Sequence, residues 1–135
     1  MKILVIDLEN KEYSYIEDEK MRPLYIGGVG INTYLFYRYT DRKIDPMDEE
    51  NNLFISSGAF AGTNISTASR CEVTALSPTG YFGTSNTGGG LGVAIKFCNI
   101  DSVWIKGKAL SPVYLKIDEK GVLFRDARTL GQRYF

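Results

Sequence analysis

Histidine is absent from all 135 residues. Its absence removes the commonest general base, the Ser-His-Asp and Cys-His nucleophile systems, and histidine-ligated zinc or iron. The two cysteines, Cys71 and Cys98, are too few for a disulfide framework or a tetrahedral metal site and too far apart for a C-x-x-C clip. They read as buried thiols in a reducing compartment. Net charge is missing as well: sixteen Lys and Arg balance sixteen Asp and Glu, so no overall field draws the chain toward nucleic acid or an anionic membrane. Any anion must be captured locally. No apolar run is long enough to span a bilayer, and the start, MKILVID, passes into charge at Asp7 without a cationic region, a long apolar core or a cleavage site. The expectation is a soluble cytoplasmic protein with neither nucleic acid nor membrane as a partner.

What is present is a sequence 44% hydrophobic, enough for one domain over residues 1–135. Strand patterns occupy 2–7 and 12–16, joined by a turn at Asn10 and Lys11 as a hairpin, then 53–56, 71–76, 102–107, 112–118 and 122–126, with a Glu-Lys-Gly turn at 119–121. EDEK at 17–20 reads as a solvated turn ended by Pro23. DPMDEENN at 45–52 is an acidic loop whose spacing fits no calcium-loop pattern. Two segments have helical spacing: Ile31, Tyr34, Leu35 and Arg38 after Gly27, Gly28 and Gly30, and Leu91, Ala94, Ile95 and Cys98 after Gly88, Gly89 and Gly90. Asn99 can close the second helix in the left-handed conformation. The fold class is therefore α+β, with mixed sheets and two short glycine-led helices.

Glycine at a helix entrance packs nothing and costs backbone entropy, so the main chain itself must be needed there. Unpaired amides at a helix start suit an anion, and Asn86-Thr87-Gly88-Gly89-Gly90 would present successive amide hydrogens as a nest. Arg70, between a loop of small residues and a strand, is a fork for the same phosphate or for a flat polar heterocycle. Neither glycine cluster fits G-x-x-x-x-G-K-[ST], and Gly28-Val29-Gly30-Ile31-Asn32-Thr33 lacks the last glycine of the dinucleotide fingerprint. The residues alone leave the bland readings open: a flexible turn at the glycines, a surface ion pair at Arg70, a helix cap at Asn86.

The run RCEVTALSPTGYFGTSNTGGGLGVAIKFCNIDSVWIKGK at 70–108, with IGGVGINTYLFY at 26–37, DPMDEENNLFISSGAFAGT at 45–63 and KGKALSPVYLKI at 106–117, closely resembles the amino-terminal domain of the aldehyde ferredoxin oxidoreductases. The resemblance implies a β-rich platform beneath a tungstopterin, in which two pyranopterin dithiolenes hold tungsten, or molybdenum in some relatives, through their own sulfurs. Carried over by position, Arg70 would contact the pterin or its phosphate, Asn86 would help hold a magnesium ion bridging the two phosphates, and Gly88 and Gly89 would offer amides. No catalytic residue is assigned. Val29 stands where the family usually carries a basic residue, so no contact from the first glycine loop is carried over. The implied activity, aldehyde and water to carboxylate with electrons passed to ferredoxin, needs the family's further domains or a complementary subunit, including a 4Fe-4S cluster; a homodimer is common in the family. The alternative is a stand-alone pterin- or phosphate-binding or structural module without turnover.

Overall fold

Lys2–Asp7, strand β1, carries apolar side chains on both faces: Ile3 and Val5 join one buried cluster, Leu4 and Ile6 another. Such a strand belongs in the interior of a sheet covered on both sides. The computed structural model, which describes residues 1–41 and 43–130, places it there. β1 turns into its antiparallel partner β2 (Glu12–Glu17), completing the expected hairpin. Asp7 ties the turn: its carboxylate accepts the amides of Glu9 and Asn10, each at 3.0 Å, and pairs with Lys106 Nζ at 3.1 Å. The hydrogen bond from the Asn10 amide, reinforced by Lys106 against the effect of burial, holds its pKa down to about 2.

Strands β3 (Leu53–Ser57), β4 (Cys71–Leu76), β5 (Phe82–Thr87) and β6 (Ser102–Lys106) complete a six-stranded sheet in the order β2-β1-β6-β3-β4-β5. Only β1 and β6 run parallel; the other neighbours are antiparallel. β7 (Val113–Asp118) and β8 (Gly121–Asp126) pair with each other as a separate hairpin. β5 departs from the sequence pattern, which leaves Phe82–Thr87 in turn and loop. Its residues FGTSNT have no apolar alternation because it is an exposed edge strand, held by its ladder to β4.

Among the described residues, three helices pack on this frame. α1 (Arg22–Tyr25), where the sequence predicts only a turn ended by proline, carries Pro23 in its first turn, where the missing N–H costs nothing. α2 (Val29–Tyr39) covers one sheet face, burying Ile31, Leu35 and Phe36 against Ile3, Val5, Phe54 and Leu76. Its buried stripe is Ile31, Asn32, Leu35 and Phe36, one position round from the expected set; Tyr34 is half-buried against Tyr25 and Arg38 is exposed. α3 (Leu91–Phe97) and the β7–β8 hairpin cover the opposite face, where Ile95, Ile100 and Val122 meet Leu4, Ile6 and Val103. Asn99, at φ 56°, terminates α3 as expected. Both expected glycine-led helices are present.

Asp101, buried just before β6, joins three elements. Its carboxylate accepts the Lys2 amide at 2.9 Å, Arg22 at 3.0 Å and Lys96 Nζ at 2.5 Å. Burial alone would raise its pKa, but the hydrogen bonds from Lys96 and Lys2 and the charges of Lys96 and Arg22 bring it below the ordinary carboxylate value. Among the described residues no helix is long and apolar enough to cross a membrane.

Candidate functional site

The antiparallel register gathers the pieces of the site at one end of the sheet. Ser57 of β3 lies opposite Cys71 of β4, and Cys71 opposite Thr87 of β5, while Ser56 lies opposite Ser102 of β6. Arg70, the chain leaving Ser57, and Gly88–Gly90 therefore emerge together. The start of α2 joins them, because the Gly28 amide donates to Ser57 O at 2.9 Å.

Glycines here serve two different ends. At Gly27 a Cβ would stand 2.8 Å from Ala59 N, and at Gly92 a Cβ would stand 3.0 Å from Ser69 O and 3.1 Å from Arg70 O. These positions are glycine because another backbone already occupies the space. Gly58 N donates to Arg70 O at 3.0 Å, so the main chain of Arg70 is clasped between the loop after β3 and the first turn of α3. Around Gly88, Gly89 and Gly90, by contrast, a Cβ would meet nothing within 4 Å. All three are exposed, and no acceptor for their amides is found among the described residues. The nest is narrower than the sequence pattern predicts: Asn86 and Thr87 belong to β5, and the open run of amides begins at Gly88.

Arg70 and Asn86 are nonetheless in contact. An Nη of Arg70 donates to Asn86 Oδ1, and Asn86 Nδ2 donates to Oε1 of Glu72, its cross-strand partner. Glu72 Oε2 accepts Thr84 Oγ1 at 3.2 Å, and Thr84 lies 3.4 Å from Thr74 Oγ1. From Thr74 the network runs inward to Asn32 of α2, which is wholly buried. Asn32 Nδ2 is shared among Thr74 Oγ1 and Glu72 O, both at 3.0 Å, and Phe54 O at 3.3 Å, while its Oδ1 accepts the Ser56 hydroxyl. Ser56 in turn meets Ser102 Oγ at 2.8 Å. A continuous polar chain thus connects the exposed Arg70–Asn86 pair to the interior under α2, and satisfied networks of this kind rigidify what they hold.

Sequence reasoning singled out Arg70, Asn86, Gly88 and Gly89, but it missed Glu72, Thr74, Thr84, Asn32 and Ser56. One signal was available: in CEVTAL the polar residues Glu72 and Thr74 alternate onto one face of a strand, the face that α2 covers. Burial pushes both the Cys71 and Cys98 thiols up, with the charge of Glu72 adding at Cys71 and those of Asp118 and Glu119 at Cys98. The acidic loop spends Asp45 and Asp48 on turns, accepting the amides of Met47 at 2.8 Å and Glu50 at 3.1 Å. A wide depression containing Asp7, Glu9, Asp41, Glu49 and Glu50 opens elsewhere, at the far end of β1 and β6; its carboxylates make it unfit for an anion.

The comparisons agree with this architecture. Residues 3–134 match the family model described as aldehyde ferredoxin oxidoreductase, N-terminal domain. The chain belongs to that family. It is 35% identical over 122 residues to a tungsten-containing aldehyde ferredoxin oxidoreductase of Pyrococcus furiosus, covering 90% of this chain and 20% of the relative. The corresponding protein of Pyrococcus abyssi is 37% identical over 130 residues, covering 93% of this chain and 21% of the relative. A Pyrococcus furiosus protein described as an aliphatic sulfonate oxidoreductase, WOR-like subunit, is 33% identical over 132 residues, covering 93% and 21%. Among solved structures, the active site complex BamBC of benzoyl coenzyme A reductase superposes with a TM-score of 0.91 at 29% identity, covering 96% of this chain and 20% of that one. The relatives are oxidoreductases, and the chain spans about a fifth of their length.

Proposed function

We propose that this chain is the amino-terminal, cofactor-holding portion of a tungsten-dependent aldehyde ferredoxin oxidoreductase, and that the end of the sheet bearing Arg70, Asn86, Gly88 and Gly89 receives the phosphate end of a tungsten–pterin cofactor. The observation that carries this reading is the run of open amides at Gly88–Gly90 beside a guanidinium–amide pair. An anion can approach that backbone without meeting a side chain, and one-sided rows of N–H groups are what phosphate oxygens require. The residues present therefore fit the group.

Charge narrows the fit. Arg70 and Glu72 cancel, so a bare dianion would find no net positive charge, whereas a phosphate accompanied by magnesium would suit a neutral cluster better. Asn86 Oδ1 is the oxygen that would face the magnesium ion. Arg70 donates to that same oxygen in the free chain, so with the cofactor bound the guanidinium would be available to a phosphate or to the pterin edge. Gly88 and Gly89 would offer their amides to phosphate oxygens. None of these groups moves a proton of substrate; they bind and orient. When bound, the cofactor would supply the redox centre for oxidation of an aldehyde to a carboxylate, with electrons leaving by an iron–sulfur cluster to ferredoxin. That chemistry needs the further domains or a partner subunit, which the greater length of the relatives accommodates.

Tungsten and pterin content, measured on the chain purified from a host that synthesises the tungsten cofactor, tests the reading. Arg70→Ala, which deletes a charge-assisted contact, is expected to lower content about tenfold or more at subsaturating cofactor. Gly88→Val is expected to do the same by closing the approach to the amides. Equal content in native chain and both variants would remove the proposed roles.

A further inference from the structure

An asparagine amide can be turned over with almost no change of shape, exchanging an acceptor for a donor. At Asn86 only one orientation delivers an oxygen to a cation. Glu72 faces Asn86 directly across β4 and β5, and its carboxylate can only accept. With Arg70 on the far side, the orientation that places Nδ2 on Glu72 and Oδ1 on Arg70 satisfies both neighbours. The flipped one would set oxygen against carboxylate and NH2 against guanidinium.

Glu72 is itself fixed. Its other carboxylate oxygen accepts Thr84 Oγ1 at 3.2 Å, its backbone carbonyl accepts Asn32 Nδ2 at 3.0 Å, and its Cγ lies 3.6 Å from where a Cβ on Gly28 would stand. We infer that Glu72 is a positioning residue: its carboxylate holds the Asn86 amide so that Oδ1, not Nδ2, faces the cation. The orienting role stands on the contacts alone. That this cation is Arg70 in the free chain and magnesium in the loaded one rests on the function proposed above.

Inverting the pair tests it. In Glu72→Gln the new amide can donate to Asn86 Oδ1, so the flipped state becomes accessible and NH2 turns toward Arg70. In Asn86→Asp two carboxylates oppose each other across the strands. In the double variant the amide introduced on β4 donates to one oxygen of the carboxylate introduced on β5, and the other oxygen again faces Arg70. Affinity for magnesium pyrophosphate is therefore expected to fall about tenfold in each single variant and to return to within about threefold of native in the double. Thermal stability should show the same non-additive recovery. A Glu72 carboxylate that does not hold the Asn86 amide would instead give additive losses, and additivity overturns the inference. In the native chain, whatever the variants do, NOEs from the Asn86 amide protons should reach Glu72 Hγ; NOEs to Arg70 Hδ instead would also overturn it. Failure of the native chain to bind magnesium pyrophosphate would contradict the proposed function while leaving the orientation of Asn86 to be read from the stability cycle and the NOEs.

Discussion

Asn32→Leu should lower the unfolding free energy by about 3 kcal/mol or more, although leucine is close to asparagine in size and suits a helix better. Asn32 is wholly buried and its side chain makes its polar contacts with other elements: Phe54 O, Ser56 Oγ, Glu72 O and Thr74 Oγ1. Leucine would leave these groups facing hydrocarbon, and each buried polar group deprived of its partner costs about 1–3 kcal/mol. Ser56 keeps Ser102 and Thr74 keeps Thr84, so the loss falls short of the full sum. For a domain of this size the thermal midpoint is expected to drop by about 10 °C, as read by circular dichroism. A midpoint within about 2 °C of native would mean that the network is not fixing α2 to the sheet.

The second large effect concerns glycines that look alike in the sequence. Gly27→Ala should destabilise by about 2 kcal/mol, because the added Cβ meets only backbone: Ala59 N at 2.8 Å, Ser57 O at 3.1 Å and Ala59 Cα at 3.3 Å. None of those atoms can rotate away. The same loop accepts the Gly28 amide at Ser57 O, so yielding there disturbs the start of α2 as well. Gly90→Ala should be neutral or slightly stabilising: its φ is −83° and a Cβ would touch nothing within 4 Å. Urea titrations of the two variants would show the contrast, and equal midpoints would contradict the division of the glycines into packed and open.

That division explains how far the sequence could be read. β1, β3, β4 and β6 are legible because burial imposes apolar runs or alternation on them, and the β7–β8 hairpin because its turn residues bound two such runs. β5 is not: FGTSNT lies exposed at an edge, and its place is decided by the ladder to β4. The helical spacing sets the buried face of α2 one position off because Asn32 looks like a surface residue until partners from β3 and β4 surround it. Arg70, Asn86, Gly88 and Gly89 were found through open glycines and a family pattern. Glu72 was not, since an acidic residue beside an expected anion site has no evident purpose until its strand register sets it opposite Asn86. Composition could not separate Gly27 and Gly92, which admit neighbouring backbone, from Gly88–Gly90, which stand clear of it.

On the function proposed above, these clear glycines serve an incoming phosphate. Titration of the 15N-labelled chain with magnesium pyrophosphate, followed amide by amide, tests it most directly. The largest shifts should fall on Gly88, Gly89 and Gly90 and on the side chains of Asn86 and Arg70, and Gly88→Val should abolish them without moving the thermal midpoint. Saturable shifts centred on another surface, with the Gly88–Gly90 amides unmoved, would contradict the account.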